Sequence, residues 1–206
     1  GFRAGLLRRV AAVVLCLLTV GVGEMWGYTL YLYTGYYSNW NQSSAVFQVY
    51  VGSKDYNFTS LGNNWYSVDV GTSSGTAYVK RYNSGYSTKW NEFSVSISST
   101  NNVVRATDWN SGEVFSMYIS GNSWNSIGDW ATNNENGKMT ISSGTEFTKT
   151  FTSVDASAHQ FKIVEQGTWD RAIGYSSTNV TCTNGTVAGD GSNIQFTPAH
   201  AGSVTI

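Results

Sequence analysis

Two stretches of the sequence place tryptophan, asparagine and lysine in the same order. The two copies are Trp40-Asn41, Lys80 and Trp90-Asn91, and then Trp124-Asn125, Lys162 and Trp169-Asp170. A tryptophan in a loop is costly to leave in water, so it either packs into a core or is covered by something else. An aromatic face stacks on the apolar C–H face of a sugar ring, and amide, carboxylate and ammonium groups bind the hydroxyls at its rim. The pattern therefore predicts sites for a flat ligand such as a sugar ring.

The spacing in the second copy also suggests how its groups meet. Lys162 lies in a predicted strand, and the seven residues to Trp169 cover the strand end and a turn through Gln166-Gly167. A turn of this length carries Trp169 beyond the core, and Lys162 can point to the same exposed surface. The alternative is that Trp124 and Trp169 fold down as loop caps on the core, and the spacing leaves both interpretations open.

Composition favours sheets over helices. Charged residues make up 12% of the chain and aromatic residues 15%, with 22 Gly and one Pro among many Ser, Thr and Asn residues. Such a composition is typical of twisted antiparallel sheets joined by polar turns. We expect Trp65, on a strand beside Tyr66, to lie in a core, and Trp109 to pack at a domain junction.

Strand patterns recur about every ten residues. The first series covers Tyr28 to Tyr33, Val46 to Val51, Trp65 to Val70, Thr76 to Tyr82, Phe93 to Ile97 and Val103 to Ala106. The second covers Val114 to Ile119, Lys138 to Ile141, Glu146 to Phe151, His159 to Glu165, Val180 to Cys182, Asn193 to Thr197 and Ser203 to Ile206. The repeat predicts an all-β chain of two tandem immunoglobulin-like antiparallel β-sandwiches, residues 28–110 and 111–206.

The first 27 residues differ from the rest. Three arginines precede an apolar run from Val10 to Val20, and small residues follow it. This order is typical of a secretory signal peptide, and the apolar run is short for a membrane span. A retained anchor is the alternative. The chain begins without Met and ends inside a predicted strand at Ile206, so we expect it to continue into further domains.

Charge and cysteine content narrow the partners and the compartment. The chain has 12 basic and 13 acidic residues; without the leader's three arginines and Glu24, the net charge is near −3. No basic cluster is present, which disfavours nucleic acid and, beyond the leader, a membrane as partners. Outside the leader only Cys182 remains, so no intramolecular disulfide can form. An exported protein of this kind suits a bacterial cell surface or the extracellular space.

Motifs for catalysis or cofactors are not evident. His159 and His200 are the only histidines, and neither lies near a cysteine in the sequence. A glycosidase could use two carboxylates brought together by folding, and the candidates are Asp69, Asp108, Glu165 and Asp170. Gly189-Asp190-Gly191-Ser192-Asn193 lacks the later acidic ligand of a calcium loop and is typical of a hairpin turn. We therefore expect no enzyme activity within these residues, no metal site and no cofactor.

The second half resembles a known group of sugar-binding modules. Ser120 to Asn125, Lys138 to Thr140, His159 to Asp170 and Gly189 to Phe196 are similar to the starch- and glycogen-binding immunoglobulin-like modules of pullulanases and of the AMP-activated kinase β subunit. The resemblance spans nearly all of residues 113–206. It implies that Trp124 and Trp169 stack on glucose rings of an α-glucan while Lys162 binds hydroxyls, with Asn125 and Asp170 beside them. The insertion Asn133 to Gly137 and the long stretch Ser176 to Ala188 depart from the pattern.

The first half resembles the small starch-binding modules of bacterial amylases, through shorter motifs. The matching residues are Leu30-Tyr31-Leu32, Trp40-Asn41, Phe47 to Val51, Trp65-Tyr66, Val79 to Asn83, Trp90-Asn91 and Asp108-Trp109. The resemblance implies that Trp40 and Trp90, with Tyr33 and Lys80, bind carbohydrate.

Three hypotheses follow from the sequence. The leading one is a secreted, non-catalytic pair of modules that bind a polysaccharide of the α-glucan type. The second is a structural or adhesive spacer of a larger cell-surface protein, in which the tryptophans only pack. The third is a part of a glycoside hydrolase whose catalytic domain lies outside this chain.

Overall fold

The computed structural model describes residues 27–141, 145–177 and 180–206. The expected signal peptide therefore lies outside the described residues, apart from Gly27. Within the described ranges no helix is both long and apolar enough to cross a membrane.

The N-terminal half, residues 27–114, is built from two sheets. Its strands are β1 (Thr29–Tyr33), β2 (Val46–Val51), β3 (Lys54–Asn57), β4 (Thr59–Gly62), β5 (Trp65–Asp69), β6 (Gly75–Tyr82), β7 (Lys89–Ile97), β8 (Val103–Asp108) and β9 (Ser111–Val114), with a 3-10 helix at Ser38–Trp40. One sheet has the order β4-β5-β1-β8-β9 and the other the order β3-β2-β6-β7. Strands β1 and β8 run parallel, whereas the other neighbours run antiparallel.

The C-terminal half, residues 117–206, is also built from strands. They are β10 (Met117–Gly121), β11 (Thr140–Ile141), β12 (Phe147–Thr148), β13 (Thr150–Val154), β14 (His159–Glu165), β15 (Gly185–Asp190), β16 (Asn193–Pro198) and β17 (Gly202–Thr205), with 3-10 helices at Trp124–Ser126, Glu135–Gly137 and Tyr175–Ser177. A four-stranded sheet of order β10-β14-β16-β15 faces the pairs β11-β12 and β13-β17. The all-β class with sandwich-like layers is confirmed.

The core of the N-terminal half follows from strand alternation. In β2, Phe47, Val49 and Val51 are buried while Gln48 and Tyr50 point outward. Side chains of a strand alternate between faces, so one face of each sheet supplies the apolar cluster and the other faces solvent. Burial of these apolar side chains is the main favourable contribution to folding. The outer face of the β3-β2-β6-β7 sheet stays polar and tyrosine-rich.

An apolar cluster joins the two halves. Three of its aromatic members are Trp65, Phe115 and Phe147, whose ring centroids lie 6.1 to 6.3 Å from one another. Tyr31 and Val103 of the first sheet pack into the same cluster. Trp65 is half-buried here, so the expectation that it packs is met at the junction between the halves rather than in the centre of a sandwich.

A buried arginine sits beside this cluster and crosses the junction. Arg105 of β8 is only 7% exposed, and its guanidinium donates two hydrogen bonds, of 3.0 and 2.9 Å, to the carboxylate of Glu165 in β14. It also binds Glu113 in β9 at 2.7 Å. Burial raises the pKa of Glu165, but hydrogen bonding and the charge of Arg105 outweigh it, so the pKa lies below its ordinary value.

Most predicted strands are confirmed, with some differences. The segment Val180 to Cys182 is not a strand, and β3, β4, β9 and β15 were not predicted. The predicted boundary between residues 110 and 111 cuts through a hairpin, because β9 pairs with β8 in the first half. Asp108 and Ser111 flank a two-residue hairpin turn, so this segment is not a linker. The chain passes to the second half only at Phe115-Ser116.

We predict that Glu165→Gln lowers the free energy of unfolding at pH 7 by roughly 3 kcal/mol, because it removes one partner of a buried ion pair. The Glu165 carboxylate has a lower pKa in the folded protein than in the unfolded chain. Its contribution to stability is therefore complete above the pKa of the unfolded chain and is lost as the pH falls through the pKa of the folded protein. The wild type should therefore lose stability below about pH 4.5 more steeply than the variant. Urea titrations across pH 3 to 7 measure both effects, with the exposed pair Lys89–Glu92 as control through Glu92→Gln. Equal losses in the two variants at pH 7 contradict the prediction.

Candidate functional site

Trp124 is buried, so the expectation of an exposed ring at this position is wrong. Its side chain is 6% exposed and contacts the rings of Phe151, His159 and Phe196 at 4.7 to 5.2 Å. The indole Nε1 donates to the carbonyl oxygen of Gln160 at 3.2 Å. A ring with all these contacts caps the core of the C-terminal half and offers no face to a sugar.

A glycine makes this packing fit. A Cβ on Gly121 would lie 2.2 Å from the Gln160 oxygen and 2.8 Å from the Nε1 of Trp124. Only a residue without a side chain lets the loop close this tightly on β14. We expected the segment Gly121 to Asn125 to present Trp124 to a sugar. In this structure the segment buries Trp124 instead, and Asn125 is half-buried beside it.

Lys162 lies on the opposite face of β14 from the core residue Phe161. Its Nζ donates to Ser192 Oγ at 2.7 Å, in the turn between β15 and β16. Lys162 therefore does not share a face with Trp124. Its ammonium group is hydrogen-bonded to the turn of the β15-β16 hairpin. The predicted trio of Trp124, Lys162 and Trp169 is not brought together.

Trp169 is exposed, and a second tryptophan accompanies it. Its side chain is 43% exposed in the loop after β14. The half-buried ring of Trp130 lies with its centroid 6.2 Å away, and the two planes are inclined by 48°. The two rings form an open aromatic cleft, which we call the Trp130–Trp169 cleft. Asp170 is exposed next to it, and its backbone N–H donates to Thr168 Oγ1 at 3.1 Å.

Trp130 adopts a backbone conformation that bulky residues rarely take. Its φ is +55°, in the left-handed region where glycine or asparagine is usual. Such a conformation costs on the order of 1 to 3 kcal/mol and persists only where the surroundings enforce it. The N–H of Trp130 donates to the Gly121 oxygen at 2.8 Å, which fixes the turn. Sequence reasoning missed Trp130; its place after Gly128-Asp129, a turn signal, was the only indication of an exposed loop.

The loop that carries Trp169 is fixed at both ends by the junction. Glu165 precedes it and pairs with Arg105, while Arg171 follows it and lies 3.4 Å from the same carboxylate. The ring of Tyr36, in the N-terminal half, lies between the two guanidinium groups, each 4.1 Å from its centroid. Cation–π contacts of this kind contribute roughly 0.5 to 2 kcal/mol each. The N-terminal half therefore helps to hold Trp169 in place.

A backbone hydrogen bond connects the two walls of the cleft. The N–H of Gly167 donates to the oxygen of Thr132 at 3.2 Å, joining the Trp169 loop to the Trp130 loop. Gly167 has a φ of +77°, which a side chain would strain. The cleft is thus preorganised by its own backbone as well as by the junction.

In the N-terminal half, Trp40 is fully buried, and the expectation of an exposed ring there is wrong as well. It packs between Phe47 and Phe93, at 5.9 and 5.0 Å, and its Nε1 donates to the oxygen of Trp109 at 3.0 Å. Tyr33 is also engaged, since its ring lies 4.8 Å from that of Trp65 at the junction.

Lys80 lies on the outer face of β6, away from Trp40. It pairs with Asp55 at 2.8 Å and lies 5.0 Å from the ring centroid of Tyr50. Partial burial lowers the pKa of Lys80, but the hydrogen bond and charge of Asp55 outweigh it and raise the pKa overall. Because Lys80 and Arg81 are neighbours on a strand, Arg81 points inward instead, and it is the cation that meets Trp90.

Trp90 and Trp109 flank the guanidinium of Arg81. The ring centroids lie 4.7 and 5.8 Å from the Arg81 carbon Cζ, and the two indoles are 38% and 41% exposed. The exposure expected of Trp90 is therefore found, whereas Trp109, which we expected to pack at a domain junction, is exposed beside Arg81. Arg81 and Trp109 were missed as partners of Trp90, although Trp109-Asn110 repeats the Trp90-Asn91 dipeptide.

The titratable residues singled out in the sequence are held in structural contacts. His159 is 6% exposed between Trp124 and Phe196, with Nε2 3.3 Å from Asp155. Asp69 and Asp108 each accept a backbone hydrogen bond in a turn, at 2.7 Å. In the described ranges, no three His, Cys, Asp or Glu side chains are grouped as metal ligands would be.

A cavity of about 790 Å³ lies away from both tryptophan pairs, between β16 and β17. Its lining is mixed, with apolar residues such as Phe161, Ile194 and Val204 beside polar ones such as Asn184 and His200. None of the predicted sugar-binding residues lines it. It also contains no tryptophan, so the exposed indole faces that can stack on a sugar ring lie elsewhere.

We predict that the two tryptophans of the predicted trio contribute very differently to stability. Trp124→Ala should lower the free energy of unfolding by about 4 kcal/mol, because it leaves a cavity in the core. Trp169→Ala should change it by less than about 1 kcal/mol, since its ring is exposed. Urea denaturation followed by far-ultraviolet circular dichroism measures both, and similar losses in the two variants would refute the burial difference.

No protein-family model, curated protein or solved structure matches this chain. The resemblances to starch-binding modules therefore remain predictions.

Proposed function

We propose that the chain is a secreted, non-catalytic carbohydrate-binding protein whose Trp130–Trp169 cleft holds an α-linked glucan. The observation that carries the proposal is Trp130 in the left-handed region beside the exposed ring of Trp169. Folding alone gains little from such a pair, because the backbone is strained and the rings stay partly in water. A ligand that covers both rings accounts for the arrangement.

The inclination of the rings favours a curved chain. Successive glucose units of an α(1→4) chain turn relative to one another, whereas those of a β(1→4) chain form a flat ribbon. Two indoles inclined by 48° present faces to neighbouring units of the former more readily than to the latter. Stacking contributes on the order of 1 kcal/mol per ring, so binding to a single short oligosaccharide is weak.

The edge of the cleft supplies hydrogen-bonding groups. The exposed carboxylate of Asp170 and the backbone and side-chain groups of Thr132 and Thr168 lie in the two loops that carry the rings. Sugar hydroxyls both donate and accept, so a mixed rim of this kind suits them. The fixed loop geometry limits the entropy lost on binding, which raises the affinity obtained from few contacts.

A rigid spacer in a larger cell-surface protein is the second candidate. The observation in its favour is the junction, where Arg105 and Glu165 join the halves beside an aromatic cluster. A spacer of this kind needs no ligand, and the Trp130–Trp169 pair would then only cover the loop. The two candidates differ in whether the cleft binds a glucan.

A pull-down on insoluble starch tests the proposal. The wild type should pellet with starch, while Trp169→Ala and Trp130→Ala should each lose about fivefold in affinity, the equivalent of about 1 kcal/mol of stacking per ring. Tyr78→Ala is the matched control, since it removes an aromatic ring of similar exposure from the outer face of the other half, and it should pellet like the wild type.

Cellulose and chitin in parallel tubes test the preference for a curved chain. Retention of the wild type on starch but not on cellulose is the expected result. The proposal is wrong if the wild type stays in the supernatant with starch, or if the cleft variants pellet as well as the wild type. The rigid spacer would then be the better account of the chain.

A further inference from the structure

Arg81 is a buried cation without a matching anion. Its side chain is 2% exposed, its Nε donates to the Trp40 oxygen at 3.2 Å, and one terminal nitrogen donates to Asn91 Oδ1 at 2.8 Å. The other terminal nitrogen has no hydrogen-bond partner. None of the ion pairs between described residues includes Arg81. Buried charges in proteins are normally paired, so this guanidinium is an exception that requires a cause.

The contrast with Arg105 shows what is missing. Arg105 is equally inward-facing, but two carboxylates satisfy it. Around Arg81 the corresponding positions are taken by an amide, a backbone oxygen and two aromatic faces. Aromatic faces attract a cation but accept no directed charge-assisted hydrogen bond as a carboxylate does. One donor of the Arg81 fork therefore remains free for an anionic oxygen.

Local structure directs the two tryptophans onto this fork. Trp90 is the extra residue of a β-bulge, since Arg81 pairs with Asn91 and Tyr82 with Lys89. Bulges re-aim side chains and often lie next to binding sites. Trp109 occupies the turn between β8 and β9. Two separate irregularities thus place an exposed indole on the same guanidinium.

We propose that Arg81, Trp90 and Trp109 form a binding site for a uronic acid residue of an acidic glycan. The sugar carboxylate accepts from the free Arg81 nitrogen, and the sugar ring stacks on an indole face. The amides of Asn91 and Asn110, which lie 3.5 Å apart, bind hydroxyls at the rim. This site is separate from the Trp130–Trp169 cleft and does not depend on the function proposed for it.

Entry of the ligand requires Trp90 to turn aside, because the guanidinium is covered in this structure. Trp109 is held by three contacts: its oxygen accepts from Trp40, its N–H donates to Asp108, and its ring packs on Tyr37 at 5.7 Å. Trp90 sits unpaired in the bulge and has only the Arg81 stacking contact among the ring contacts described. Trp90 is thus the movable wall of the site.

The neighbouring acidic groups do not take the place of the ligand. Glu92 pairs with Lys89 at 3.0 Å, and Asp108 accepts from the Trp109 N–H at 2.7 Å. Both carboxylates are engaged in their own contacts, and neither is bonded to Arg81. A sugar carboxylate therefore does not compete with Glu92 or Asp108 for the guanidinium of Arg81.

Calorimetric titration of the whole chain with trigalacturonate and with its methyl ester tests the proposal. The ester has the same sugar backbone without the charge. Wild type should bind the acid at least about tenfold more tightly than the ester, as expected of one charge-assisted hydrogen bond. Equal binding of the two, or no binding of either, overturns the proposal.

Variants separate the carboxylate contact from a structural role. Arg81→Gln should bind acid and ester equally, whereas Trp90→Ala, which removes the ring that covers the guanidinium, should keep the preference for the acid. Because Arg81 is buried, the Trp90→Ala result stands as the second test if Arg81→Gln does not fold. Loss of the preference in Trp90→Ala overturns the proposal.

Two controls define the ligand class. Trp169→Ala should bind trigalacturonate like wild type, so failure of the starch experiment and failure of this one are distinguishable. Dextran sulfate should not displace trigalacturonate at equal charge concentration. Displacement would show general polyanion binding and would overturn the assignment of a uronic acid site.

Discussion

The ion pairs of the Arg105 guanidinium are the interaction on which the arrangement of the two halves depends. Arg105 lies within β8, its guanidinium reaches across the junction to Glu165, and the ring of Tyr36 contacts both this guanidinium and that of Arg171. Removing a partner from a buried cation is strongly destabilising, because it leaves a charge uncompensated. That dependence couples the halves, because each supplies part of what Arg105 needs. It also fixes the Trp169 loop, whose two ends are Glu165 and Arg171.

The same physical rule separates the four tryptophans of the repeated pattern. In both Trp40 and Trp124, Nε1 donates to a backbone oxygen and the ring packs against aromatic neighbours. Burial therefore removes the ring from water without leaving its polar atom unpaired. Trp90 and Trp169 lie where a bulge and a loop turn them outward. Each exposed ring is joined by a second tryptophan that the repeat did not contain, which makes two clefts of different chemistry: one beside a buried cation, the other on a strained turn.

Sequence predicted the all-β class because alternation in segments such as β2 and β6 is a local property. It left open whether Trp124 and Trp169 are exposed or cap the core, although the turn through Gln166-Gly167 is a local signal that carries Trp169 outward. It could not decide that Trp124 is the buried one, because that depends on Gly121 meeting Gln160 across the sheet. Likewise, Lys80 and Arg81 are alike in sequence, and only the choice of the buried face made Arg81 the neighbour of Trp90.

The central claim is that a glucan contacts Trp130 and Trp169 and leaves the buried tryptophans unaffected. Fluorine NMR of the chain labelled with 5-fluorotryptophan, with resonances assigned by single Trp→Phe variants, reports each ring separately. On titration with maltoheptaose the account predicts shifts of the Trp130 and Trp169 signals, with the Trp40 and Trp124 signals unchanged. Shifts confined to other tryptophans, or none at saturating sugar, would contradict it.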